Sequence, residues 1–368
     1  MHFTFEHATP ADDAALRRLL VANPLPGRVA LSYEREPSYF AGCSTMGHFW
    51  QVMVARAHPG AEVVGLANRA VRHAYLAGRV APLGYLGQLR VDGPFRGLGL
   101  LERAYHMLRK VHNDGRAGCY LTTIVEGNTA AQRVLVTHPP ATAPRLYPHS
   151  RLVSLALVAR RYPPLRLPRV ELVWDGRERL AQIADFLAHY GPRRQFFPAY
   201  SATDLAGSPL TRGFDPRDFC LALHHGAIIG LLGLWDQSAY KQTVVRGYHG
   251  WMRPTRPLYN LAARLLGLQP LPAPGAQLRH CYASFLCIAD DQPQVFAALL
   301  QAALQRAALR GANYLMLGLT HRDPLLPYAQ RYLHIPYYSR VYLAAWQTKE
   351  IPDDAYDQRI PAIEIASL

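Results

Sequence analysis

The chain has 368 residues, half of them hydrophobic and 18% charged, which excludes wholesale disorder and, at roughly 150 residues per domain, allows two to three domains. Its 40 basic and 26 acidic residues leave a net charge of +14. Only Lys110, Lys241 and Lys349 are lysine, so lysine-rich tails are excluded, and no run of 18 uncharged apolar residues offers a membrane span.

Residues 3–8 read as a short strand. Residues 10–20 read as a helix, opened by Pro10, Asp12 and Asp13 and carrying arginines further in, as the helix dipole prefers. Apolar and β-branched stretches predict strands over 51–57, 62–76 and 84–92. A loop containing Gly97 and Gly99 follows, and a helix runs from about Leu98 to Asn113, with Leu98, Leu101, Tyr105 and Leu108 at helical spacing. Residues 118–125 are a buried strand, Asn128 caps a short helix to about Thr137, and 150–160 are a strand. The proline-rich stretch 161–168 reads as a linker. Beyond it come a strand at 169–174, a helix at 177–190, a hairpin at 218–235 and an irregular insertion holding Pro270, Pro272 and Pro274. Strands at 280–289, 313–319 and 338–346 then alternate with helices at 292–310 and 324–333.

Helix, strand and next helix begin near 97, 118 and 128, and again near 292, 313 and 323, a constant offset of about 195. Constant spacing of three consecutive elements is the mark of a structural repeat. The five cysteines, Cys43, Cys119, Cys220, Cys281 and Cys287, are odd in number and lack CxxC spacing. A reducing cytoplasm fits them better than a disulfide framework or zinc site. Residues 1–7 show no basic-then-apolar leader pattern. His224, His225 and His321 lack metal-ligand spacing, so no metal is expected.

The informative stretch runs from Gln88 to Leu101. A strand ends near Val91, a helix starts near Leu98, and Arg96, Gly97 and Gly99 lie between them. Glycines let the backbone approach a ligand, free amides at the helix start face the same space, and Arg96 adds a charged donor. Such an arrangement suits a phosphate or pyrophosphate, and the alternative for the loop alone is an ordinary strand–helix turn.

With Val91, Arg96 and Gly99 so spaced, and with Val125, Asn128 and Ala131 after the next strand, residues 3–160 resemble the GNAT superfamily of acyl-CoA-dependent N-acyltransferases. The resemblance implies an α/β (α+β) architecture of two tandem GNAT-like mixed-sheet domains with flanking helices, 1–163 and 169–368. It implies that the backbone of Arg96, Gly97, Leu98, Gly99, Leu100 and Leu101 holds the pyrophosphate of acetyl-CoA or another acyl-CoA. Leu89, Arg90 and Val91 would border the pantetheine arm and offer an amide to the thioester oxygen, and Asn128 would bond near that arm. An amine of unread identity would be the acceptor.

Three features depart from the family pattern. Leu101 stands where Gly or Ala is usual, and crowds the pyrophosphate unless it turns into the core. Leu135 stands where a tyrosine often protonates the departing thiolate. No carboxylate precedes Val91 on its strand. Glu126, Tyr120 and Tyr85 are the nearby candidates for proton transfer, beside a water chain. Cys119, in an apolar strand, reads as core.

In the second half Asp290, Asp291, Gln292, Pro293 and Gln294 replace the glycine loop. Two carboxylates repel a pyrophosphate, so this copy is expected to bind no coenzyme A. Its acids are expected to cap the helix; the Thr320–Pro324 loop is a polar candidate for the acceptor-site wall, with a helix cap by Asp323 the favoured alternative. The alternative to an enzyme is a non-catalytic acyl-CoA sensor. Nucleic acid is disfavoured, because no basic run is interleaved with aromatics.

Overall fold

The computed structural model describes residues 2–25, 27–163, 165–265 and 270–368. Pro164 of the expected linker lies outside them. The strands are β1 (His2–His7), β2 (Val29–Glu34), β3 (Phe49–His58), β4 (Glu62–Leu76), β5 (Arg79–Val91), β6 (Tyr120–Val125), β7 (Arg145–Val158), β8 (Val170–Trp174), β9 (Arg194–Gln195), β10 (Phe219–His224), β11 (Ala227–Trp235), β12 (Gln242–Tyr248), β13 (His280–Ile288), β14 (Tyr314–Thr320), β15 (His334–Ala345) and β16 (Ile360–Pro361). The helices are α1 (Asp13–Ala22), α2 (Leu100–His112), α3 (Thr129–Gln132), α4 (Leu180–Tyr190), α5 (Ala202–Leu205), α6 (Met252–Leu265), α7 (Pro293–Leu309) and α8 (Leu326–Ala329). Among the described residues no helix is long and apolar enough to cross a membrane.

Twelve strands form one continuous mixed sheet in the order β1-β3-β4-β5-β6-β15-β7-β14-β13-β11-β10-β8. The order shows an exchange. β15 comes from the second half of the chain but lies against β6 of the first, and β7 of the first half lies against β14 of the second. The repeat is visible in the elements. Leu100 and Pro293, the first residues of α2 and α7, are 193 apart, and Tyr120 and Tyr314, which open β6 and β14, are 194 apart.

Each half contains one parallel pair that parts. β5 and β6 are paired only at Gly84–Tyr120 and Tyr85–Leu121, and then diverge. β13 and β14 are paired only from His280–Tyr314 to Tyr282–Met316. A β-bulge bends the first strand of each pair just past that point. Three steps along β5, from Gly87 to Arg90, span two steps of β4, with Gln88 at φ 56°. β13 shifts register between Ser284 and Cys287, with Phe285 at φ 57°. Bulges bend strands and increase their twist, so each half opens a wedge in its sheet.

The two wedges end differently. In the second half the segment from β16 to Leu368 fills it. The Glu364 carboxylate accepts the Phe285 amide at 2.9 Å and Ser284 Oγ at 3.2 Å, and Thr320 Oγ1 donates to the Pro361 carbonyl at 3.1 Å. Ile365 lies so close to Gly318 that an added Cβ would come within 2.4 Å of its Cγ2. Asp290 and Asp291 do not cap α7. They adopt left-handed φ and pair with Arg193 and Arg194, while Gln292 holds the N-cap without a side-chain bond. Asp323 does not hold the N-cap of α8, which is Leu325; its side chain accepts the Leu325 amide at 2.9 Å in the turn before the helix, and its other oxygen pairs with Arg194.

Several elements differ from those expected. β2 and β12 form a separate antiparallel ribbon, with Glu34 opposite Gln242, and α6 occupies the stretch read as an irregular insertion. Both ribbon strands are short and need each other across 200 residues of chain, which local pattern does not reveal. α2 begins at Leu100. Leu98 precedes it and is exposed, because Gly97 and Gly99 take φ of 82° and 71° and delay the helix.

The apex of the first wedge is a tight contact. An added Cβ at Gly84 would lie 2.0 Å from Cδ1 of Tyr120. Gly84→Val is therefore expected to lower stability by about 1–3 kcal/mol, the usual cost of overpacking. Urea unfolding measures it, and an unchanged midpoint would show that the apex is not tightly packed.

Candidate functional site

A cavity of about 390 Å³ runs through the open wedge. One side is built by β5 and β6 beyond the apex, from Leu86 to Val91 and from Thr122 to Val125. Its backbone edges face each other without strand pairing. The Gln88 side chain lines the wedge, and its Oε1 is buried without a partner among the described residues. A buried polar atom of this kind calls for a ligand or water.

On the α2 face the cavity is apolar. α2 buries only Leu100 and Leu108 of its thirteen residues, whereas α7 buries nine of seventeen. The difference is space. Leu101, Ala104, Tyr105 and Met107 line the cavity opposite the small residues Ala55, Gly65 and Ala67. Leu101 does not turn wholly into the core. It stays half-buried on the cavity wall, and Leu100 packs inward with Phe3 and Val64 instead.

At the mouth, Gly97 and Gly99 hold left-handed φ, and nothing lies within 4 Å of a Cβ added to either. This is open backbone leading into the free amides that start α2. Arg96 is exposed and folded back. Its Nε donates to the Val91 carbonyl at 3.0 Å and its Nη2 to Asn23 Oδ1 at 2.6 Å. Two of its five N–H donors thus brace the loop. Asn128 lines the cavity and caps α3 through the Ala131 amide at 3.0 Å. Leu135 also lines it, in a π-helical turn after α3, so no hydroxyl stands there.

The opposite side is built by parts distant in sequence. The β2–β12 ribbon and its flanks bring Tyr33, Glu34, Arg35, Lys241 and Gln242. β13 brings His280 and Tyr282, and β15 brings Tyr337 and Ser339. Sequence reading missed this wall. The β-branched run Thr243–Val245 was its available signal. The Thr320–Pro324 loop, expected as part of this wall, lies against the filled second wedge instead.

No family model and no curated protein matches the chain. Solved structures do. A GCN5-related N-acetyltransferase from Sphaerobacter thermophilus superposes with a TM-score of 0.56 at 13% identity, covering 100% of this chain and 98% of that one. The fold is that of the GCN5-related N-acetyltransferases. Saccharomyces cerevisiae N-myristoyltransferase with bound myristoyl-CoA superposes at 0.61 with 10% identity, over 98% and 84% of the two chains. A GCN5-related glucosamine N-acetyltransferase region of a fungal multi-domain GH3 β-N-acetylglucosaminidase gives 0.62 at 12% identity, over 93% of this chain and 38% of that one. Identities this low speak to fold alone.

Within the GNAT fold the three proton-transfer candidates part company. Glu126 lies outside the cavity lining. Arg151 holds it at 2.9 and 2.7 Å, and this pairing keeps its carboxyl below the usual range, so it is withdrawn as a base. Tyr120 is fully buried on the α2 face. It accepts from Arg69 Nε at 3.1 Å and lies 2.9 Å from His112 Nδ1, a packing role outside the cavity lining. Tyr85 lines the cavity, its ring against Gly87, and burial pushes its phenol up. Arg90 also projects there. Its Nη1 donates to the Leu89 carbonyl at 2.9 Å, and it is close enough to Tyr33, Tyr39, Tyr85 and Tyr337 to act on their ionisation. Cys119 is buried, and burial pushes its thiol up to about 11.

Lys241 donates from Nζ to the Ala366 carbonyl at 2.8 Å and to Leu368 O at 3.5 Å. Burial, with Arg35 adding to it, brings Lys241 down from 10.5 to about 7. The fold thus favours its neutral form, and the unfolded chain binds the extra proton between pH 7 and about 10. Wild-type protein should therefore gain stability over Lys241→Met as pH rises from 7 to 10, with a flat difference below 7. Paired urea midpoints test this, and a constant difference throughout would show ordinary titration.

Proposed function

We propose that this protein is an acyl-CoA-dependent N-acyltransferase that works in the wedge between β5 and β6. Acetyl-CoA is the donor the Val91–Arg96–Gly99 motif leads us to expect. The observation that carries the reading is the contrast between the wedges. In the second, the bulge amide of Phe285 receives a carboxylate oxygen of the chain itself. In the first, Gln88 holds the same place beside an open cavity. An amide there would meet the thioester oxygen, on which negative charge grows during attack.

In this reading the chain consists of two GNAT-like units, 1–163 and 169–368, and acts in the cytoplasm. Leu89, Arg90 and Val91 border the pantetheine arm, and the backbone from Arg96 to Leu101 takes the pyrophosphate. Asn128 lies beside the arm. The thioester supplies an activated acyl group. The lone pair of a neutral acceptor nitrogen forms the new C–N bond, and the C–S bond breaks with its electron pair on sulfur. The nitrogen gives up a proton and the sulfur takes one. Tyr85, kept protonated by burial, serves as the proton donor in place of the hydroxyl missing at Leu135.

Acyl-CoA at millimolar concentration should raise the melting temperature, and Gly99→Asp should abolish that shift, because it combines a left-handed φ with a charge facing the pyrophosphate. No shift with acetyl-CoA or any longer acyl-CoA would sink the reading. Tyr85→Phe should lower kcat about 100-fold, in the range for a lost general acid. Unaltered kcat would pass that role to water. Leu135 keeps a second reading in view, a sensor that binds acyl-CoA without turnover. It predicts the thermal shift with no thiol release from any amine.

A further inference from the structure

Charge in the cavity is one-sided. Arg35, Arg90 and Lys241 line it, and Glu34 is the only carboxylate side chain among its lining residues. Glu34 is already engaged by Ser32 Oγ and the Arg246 guanidinium. The nearby acid Glu36 pairs with Arg17. Glu364, behind Lys241, gives its oxygens to Ser284 and to the amides of Phe285 and Ala366.

The two guanidiniums have poor partners, and Lys241 beside them favours its neutral form. Arg35 is 3% exposed. Its guanidinium reaches the Tyr39 carbonyl at 3.4 Å and the sulfurs of Cys43 and Met46 at 3.3 and 4.0 Å, and lies over the Tyr39 ring. Sulfur is a weak acceptor. Arg90 donates to its neighbour's carbonyl, and Lys241 to main-chain oxygens. A guanidinium taken from water without an acid is costly, and a fixed group of such cations is complementary to an anion.

We propose that the acyl acceptor is an amine that also carries a carboxylate, a compound of the amino-acid class, with its carboxylate held by Arg35 and Arg90 and its nitrogen toward the β5–β6 wedge. The inference rests on the transferase reading above. The same cations disfavour the ammonium form of the acceptor, so it sheds its proton and reaches the thioester as the neutral nucleophile. They also disfavour polyamines, which bring further positive charge.

The test compares L-α-amino acids with their carboxamides and with the matching decarboxylated amines, on wild-type protein at saturating acyl-CoA, read by thiol release. The free acids should show kcat/KM about 10- to 100-fold higher, the range expected for charge-assisted bonds. Arg90→Gln should bring the acid-to-amide ratio toward one. Arg35→Gln should do the same if it folds, and the wild-type comparison stands without it. Equal or faster turnover of carboxamides or polyamines overturns this inference and leaves the transferase intact. If acyl-CoA binds but no amine releases thiol, the transferase reading fails. Calorimetric titration of the same acids and amides into acyl-CoA-loaded protein then decides, and equal binding of acid and amide overturns the inference as well.

Discussion

Two parallel strands that part inside a sheet leave main-chain donors and acceptors facing each other across a gap too wide to bridge. Buried backbone groups must find partners. In this chain the condition arises twice, at β5–β6 and at β13–β14, and it is met in two ways. The second gap is filled by the chain's own residues 360–368, with Glu364 on the Phe285 amide. The first is left open, with Gln88 Oε1 at its edge unpartnered among the described residues and glycine backbone at its mouth. Where the protein supplies its own plug the gap is largely taken up by residues 360–365, and where it does not, the larger cavity remains.

The same constraint explains why the second half is more than a spare copy. The exchange of β7 and β15 closes the open wedge along one side with a strand from the other half, which delivers Tyr337 and Ser339. The β2–β12 ribbon lays Tyr33, Arg35 and Lys241 over the remaining side. α7 packs tightly on its part of the sheet, and α2 does not, which keeps volume beneath α2. The second half, with its own gap filled, thus helps shape the open wedge of the first.

The α2 loop was legible in the sequence because its requirements are local. Glycines that take positive φ, the start of a helix and a strand ending at Val91 all lie within a dozen residues, and the repeat followed from element spacing alone. Proton-transfer residues were less legible. Glu126, Tyr120 and Tyr85 all lie near the motif or the strand after it in sequence, but Tyr85 lines the cavity while Tyr120 packs against Arg69 and His112 outside it. Glu126 meets Arg151, 25 residues away in sequence. The acids at Asp290 and Asp291 suggested a cap, and Arg193 and Arg194 claimed them instead.

By itself, then, the sequence determined the glycine loop before α2, the doubled order of elements and the different, acidic segment before α7. Each depends on which backbone conformations a few adjacent residues can take. Tertiary structure decided which wedge stays open, which side chains face it and what charge it carries. Those outcomes depend on a tail, a ribbon and an exchanged strand that reach the site from about 50 to more than 200 residues away in the chain, where no local pattern records the meeting.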